Sequence, residues 1–239
     1  MAVWDRFLTE RDKKHLAIWG KRQPDELGKR PVLLVIDVYY SSIGHERKPL
    51  LESISDWPMS CGEEGWRAID HMKVLIPAAR KAGVPVVYVR GYPGFPSDPT
   101  RVAERGKRDG QAVDRLPAEI RALGNEIVEE IAPVDGDLVV GKAAPSAFSG
   151  TVLLHYLQML KADTVIVCGE STSGCVRAAV VDAAANRLRV GIVEECCFDR
   201  TEASHAINLF DMHQKYGEVI DMSKALAYFE ETSRLLRER

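Results

Sequence analysis

A thiol, a carboxylate and an ammonium occupy three matching places in this chain. Cys175 follows the small, polar stretch Gly169-Glu170-Ser171-Thr172-Ser173-Gly174, where an apolar run hands over to a helical pattern. Asp37 closes the run PVLLVID, and Lys142 follows DLVVG. These residue types suffice for nucleophilic catalysis. The carboxylate takes the proton of the thiol, and a neighbouring cation holds both groups in their charged forms. A helix N-terminus favours negative charge, so a Cys placed there tends towards thiolate. Backbone N–H groups of the turn 169–175 can hold an oxyanion. Each residue also has a plainer reading. Cys175 fills a helix–sheet contact, Asp37 caps the turn after its strand, and only their coincidence at strand ends speaks for chemistry.

Strand ends must position this trio. The runs 31–37, 84–90, 137–141, 164–168, 190–193 and 219–220 read as strands, most of them apolar on both faces as buried parallel strands are. Helical patterns cover 5–19, 63–82, 151–161, 175–187, 202–215 and 223–238. This alternation predicts an α/β fold of three layers, α/β/α: a Rossmann-like parallel sheet of about six strands with helices on both faces. Asp37, Lys142 and Cys175 then fall on the carboxyl edge of one sheet, the usual ligand edge. The connection 38–62 carries Tyr39, Tyr40, His45, Trp57 and Cys61 and reads as a packed loop lining or covering a site. Tyr39, Tyr40 and Trp57 are unranked candidates for its walls. Residues 91–121 are loop-rich, with Arg101, Arg105, Lys107 and Arg108 forming a solvated surface, an attractor of an anion or a subunit contact. The other thiols, Cys61, Cys168, Cys196 and Cys197, read as packing residues.

Composition narrows the class. The 239 residues are 46% apolar and 28% charged, enough for one large core; the chain reads as a single domain, 1–239, with an N-terminal helical arm over about 1–29. A net charge of −3 without a long basic block gives no support for a nucleic-acid or anionic-membrane partner. No run approaches the roughly 18–20 apolar residues of a membrane helix. The first 22 residues lack the apolar stretch of a signal peptide. Five Cys form no disulfide pattern, so a reducing cytoplasm is the expected location. Neither G-x-G-x-x-G nor a phosphate-binding G-x-x-x-x-G-K-[ST] motif occurs.

V-I-D at the first strand, V-G-K-x-x-x-S-A-F-x-G-T in the middle and G-E-S-T-S-G-C-V-R-A before the long helix resemble the isochorismatase-like cysteine hydrolases, and among them the N-carbamoylsarcosine amidohydrolase branch, over roughly 30–222. The resemblance implies a triad of Asp37, Lys142 and Cys175. It implies a cis peptide between Glu170 and Ser171, and an oxyanion hole of the Ser171 and Cys175 N–H groups. It also implies a carboxylate-binding Arg200, whose plainer alternative is a surface pair with Asp199 or Glu202. Thr172 and Phe148 are the further substrate contacts, Phe148 either walling the pocket or packing. Metal-dependent relatives carry an Asp and several His after the first strand; here only His45 is available, so neither a metal nor another cofactor is expected. The implied activity is hydrolysis of a small anionic ureido or amide substrate, an N-carbamoylsarcosine-like acid first and a maleamate-like acid second. Vinyl-ether hydrolysis and a non-catalytic scaffold role remain as rivals. A homo-oligomer, dimer or tetramer, is the expected assembly.

Overall fold

The computed structural model describes residues 2–20, 26–91 and 117–238. Six parallel strands form one sheet: β1 (Pro31–Ile36), β2 (Val86–Gly91), β3 (Leu138–Lys142), β4 (Thr164–Glu170), β5 (Arg189–Phe198) and β6 (Glu218–Ile220). Their order is β3-β2-β1-β4-β5-β6. β1 and β4 are buried along their whole length and pair from Pro31↔Thr164 to Ile36↔Gly169. This is why both read as unbroken apolar runs.

The connecting helices are α1 (Glu10–Trp19), α2 (Tyr40–Ile43), α3 (Leu50–Asp56), α4 (Glu63–Lys81), α5 (Ala118–Ala122), α6 (Leu153–Met159), α7 (Arg177–Ala185), α8 (Glu202–Lys215) and α9 (Met222–Arg237). One core joins Leu33, Val35 and Tyr88 of the sheet to Ile69, Met72 and Leu75 of α4 and to Phe229 of α9. A second joins Leu34, Ile36 and Val87 to Leu153, Val180 and Leu209, from α6, α7 and α8. The alternation of strand side chains between two buried faces is the three-layer arrangement expected. Among the described residues no helix is long and apolar enough to cross a membrane.

Three elements differ from the sequence reading. β5 runs on through Cys196, Cys197 and Phe198, which alternate between the two cores, instead of ending near Val193. The charged pair Glu194-Glu195 hides this continuation. α7 begins at Arg177, not near Cys175, because Gly174 (φ −112°, ψ −105°) breaks helical geometry just before that residue. The connection 38–62 contains two short helices, α2 and α3. The arm is held at Trp4, whose ring lies 6.1 Å from Phe210 and 5.4 Å from His213, while α1 buries none of its residues. The basic cluster Arg101, Arg105, Lys107 and Arg108 lies outside the described residues.

Candidate active site

Strand order reverses between β1 and β4, and a crevice opens at the carboxyl ends of strands at such a point. Two backbone features shape this edge. Gly169 has φ +120°, and a Cβ there would lie 2.0 Å from the carbonyl oxygen of Ile36, so only glycine lets β4 run this close to β1. Asp37 leaves β1 with φ +53°, a left-handed conformation that Asp tolerates better than most residues.

The three side chains meet there. Lys142 Nζ lies 2.7 Å from Asp37 Oδ2 and donates to Cys175 Sγ at 3.3 Å. β2, which separates the Lys and Asp strands, pairs Gly91 with Lys142, so no side chain intervenes at that level. Lys142 and Asp37 are each only 7% exposed at the side chain, whereas Cys175 remains partly accessible. Tyr39 donates its hydroxyl to Asp37 Oδ1 at 2.6 Å and accepts the N–H of Gly91. Burial and then the Asp37 charge push the Tyr39 phenol far up, so it stays a donor. Asp37 therefore holds an ammonium on one oxygen and a phenol on the other.

Electrostatics correct one expectation. The Cys175 thiol is pushed up to about 12, first by burial and then by its hydrogen-bonded neighbour Asp37; Lys142 pulls the other way without prevailing. Burial and the neighbouring Asp37 both favour the neutral thiol. The helix-terminus argument for a thiolate fails because α7 starts two residues later and desolvation outweighs it. For Lys142, burial opposes the charge, but Asp37 and Cys175 more than offset it and its pKa rises.

The turn before Cys175 is pinned from outside. The Glu170–Ser171 peptide is cis, as the resemblance implied. The Ser171 carbonyl accepts the N–H groups of Gly174 at 2.9 Å and Val176 at 3.2 Å. Thr172 is fully buried, donates to the Phe198 carbonyl at 3.1 Å and lies 2.8 Å from His205 Nδ1. A hydroxyl has one proton, so His205 is the donor in the second contact. The Thr172 hydroxyl, expected at the substrate, is thus paired with β5 and α8. Asp199 accepts the N–H of Ser173 and that of Arg200, both at 2.8 Å. Nothing in the local sequence singled out Tyr39 or Asp199 for these tasks.

Arg200 stands at the carboxyl edge, just beyond β5, but in neither of the surface pairs considered. Its Nη2 lies 2.6 Å from Oε1 of the buried Glu170, while Glu202 pairs with Arg6. Phe148 is half-buried against the second core. His45 Nδ1 accepts the indole N–H of Trp57 at 2.8 Å, and Tyr40 accepts the N–H of Glu129. Among the described residues no group of three His, Cys, Asp or Glu side chains is placed to hold a metal ion.

A family model described as Isochorismatase domain matches residues 31–224. The chain belongs to the isochorismatase family. This isochorismatase-family chain is 32% identical over 217 residues to a maleamate amidohydrolase of Pseudomonas putida, covering 87% of this chain and 90% of the relative. It is 33% identical over 210 residues to an N-carbamoylsarcosine amidase of an Arthrobacter species, covering 85% and 72%. The crystal structure of an N-carbamoylsarcosine amidase from Thermoplasma acidophilum superposes with a TM-score of 0.60 at 26% identity, covering 81% of this chain and 96% of that one.

Proposed function

We propose that this isochorismatase-family protein is a cysteine-dependent amidohydrolase that releases ammonia from the terminal amide or carbamoyl group of a small carboxylic acid. The observation that carries this reading is the contact of Lys142 Nζ with both Asp37 and Cys175, at 2.7 and 3.3 Å. A raised thiol bonded to a carboxylate suits a concerted attack. The proton passes from sulfur to Asp37 as sulfur bonds to the carbonyl carbon, so a free thiolate need never accumulate. Lys142 stabilises the charge that crosses between them. The N–H groups of Ser171 and Cys175 are the proposed donors to the oxyanion. Asp37 then returns the proton to the departing nitrogen, which leaves as ammonia. A water that gives its proton to Asp37 attacks the thioester or thiocarbamate carbon, and the thiol re-forms. No cofactor enters these steps.

Arg200 is the proposed partner of the substrate carboxylate, since a guanidinium offers two parallel donors. An N-carbamoylsarcosine-like ureido acid remains the leading substrate. Maleamate is the second, favoured by the match to its amidohydrolase over 90% of that protein's length. Ammonia release from a panel of carbamoyl and amide acids, with loss of a vinyl-ether acid followed separately by chromatography, tests the reading. Turnover of an amide or ureido acid by the native protein, lost in a folded Cys175→Ala variant, is the expected result. Turnover by Cys175→Ala near the native rate, or activity on the vinyl ether alone, overturns it.

A further inference from the structure

Glu170 takes no part in the steps above, yet it is a buried carboxylate beside them. It ends β4, immediately before the cis peptide, and is 8% exposed. Its partner is the Nη2 atom of Arg200 at 2.6 Å. The Arg200 Nε is buried and has no hydrogen-bond partner. A buried donor left unpaired is costly and calls for an explanation. Nε and Nη2 form the edge of a guanidinium that a carboxylate grips with two parallel bonds. Glu170 takes one half of that edge, and the other half, Nε, has no hydrogen-bond partner.

We propose that Glu170 is a specificity-determining residue: its carboxylate occupies part of the Arg200 edge that the substrate's carboxylate needs, and the two anions compete for it. This rests on the amidohydrolase reading for the identity of the incoming acid, but not for the competition itself. The charged and titratable groups facing Glu170 are Arg200 and Asp199 beyond β5, Asp37 beyond β1, and Cys61 ahead of α4, with Glu64 of α4 behind Cys61. Three of these are carboxylates, so a further anion at Arg200 enters a field that already contains the charge needed to neutralise the cation. Burial pushes Glu170 up to about 7, against the pull of Arg200. Below that pH Glu170 is neutral and releases the full guanidinium charge to a ligand. Above it Glu170 ionises and opposes the ligand. Binding of an anionic acid is therefore linked to uptake of a proton, and the dissociation constant rises about tenfold between about pH 6 and about pH 8. Cys175 and Cys61 are pushed up, and His205 down by burial, so none of them mimics this change.

The test is calorimetric binding of maleamate, a monoanion throughout this range, to the full-length Cys175→Ala protein, with and without Glu170→Gln. The expected result is about tenfold weaker binding at the higher pH with Glu170 present. In the Glu170→Gln variant the binding is pH-independent and, at the higher pH, about tenfold tighter. A parallel Arg200→Ala variant loses both the affinity and its pH dependence. Should the Glu170→Gln variant not fold, titration of the Cys175→Ala protein in two buffers of different ionisation enthalpy gives the proton uptake directly, about half a proton per maleamate near pH 7. Equal binding with and without Glu170→Gln, no proton uptake, or no binding of maleamate overturns the proposal. Ammonia release by the native enzyme is read separately. If it occurs while the calorimetry fails, only the role of Glu170 falls; if it is absent while the pH-linked binding is found, only the amidohydrolase reading falls.

Discussion

Replacing Lys142 by Met removes the ammonium from between Asp37 and Cys175 while keeping most of the side-chain volume. At 3.3 Å a full negative charge on sulfur interacts with Lys142 by about 5 kcal/mol at an effective dielectric constant of about 20. The attacking sulfur carries only part of that charge in a concerted step, so about half is the smallest loss consistent with the geometry. At about 1.4 kcal/mol per factor of ten, kcat/KM falls between about 10²-fold and about 10⁴-fold. Stability changes for a separate reason. The Asp37 carboxylate, 7% exposed, loses its counter-ion but keeps the Tyr39 hydroxyl, and an orphaned buried charge costs about 3–5 kcal/mol. The Asp37→Asn/Lys142→Met double variant removes that charge and regains most of the stability, but none of the activity. Steady-state ammonia release and urea denaturation of the native protein and both variants separate the two effects. A Lys142→Met enzyme within about tenfold of the native kcat/KM refutes the role given to the cation, whatever its stability.

Two other substitutions divide binding from chemistry. Arg200→Ala raises KM for an anionic amide about 10- to 100-fold, the worth of a charged hydrogen bond, and changes KM for the corresponding neutral amide little; equal effects on both substrates would remove the carboxylate assignment. Tyr39→Phe takes one donor from Asp37 and leaves the exposed Gly91 N–H to water, so kcat/KM falls at least about tenfold while the urea midpoint shifts little; native kinetics would show that the phenol only ties the loop down.

The sheet and the trio at its edge were legible because two simple signals coincide. β1 and β4 lie in the middle of the sheet and must be apolar on both faces, and each ends abruptly in a polar residue or a turn. The spacing around Cys175 added the motif. What the sequence concealed are pairings across long separations. Glu170 read as part of a polar turn because its partner is thirty positions away, in a loop whose own neighbours, Asp199 and Glu202, offered nearer carboxylates. The Thr172 hydroxyl likewise finds its partner across a long separation, at the Phe198 carbonyl 3.1 Å away. The upward push on the Cys175 thiol is equally hidden, because position near a helix is local, whereas burial is a property of the assembled fold.

Asp199 shows how those distant pairings make the site a single mechanical unit. One carboxylate accepts the N–H of Ser173, in the turn that presents Cys175, and the N–H of Arg200, in the loop that presents the guanidinium. Glu170 joins the same two segments through their side chains, from the residue that precedes the turn. The turn that precedes Cys175 and the loop of Arg200 are thus fixed to each other by three short bonds, at 2.6, 2.8 and 2.8 Å, that do not pass through Asp37 or Lys142. In the proposed mechanism the acid–base pair comes from the ends of β1 and β3, and the positioning contacts come from the ends of β4 and β5. Only Cys175 belongs to both. The Asp37 charge still reaches Glu170, so the two sides remain electrostatically linked.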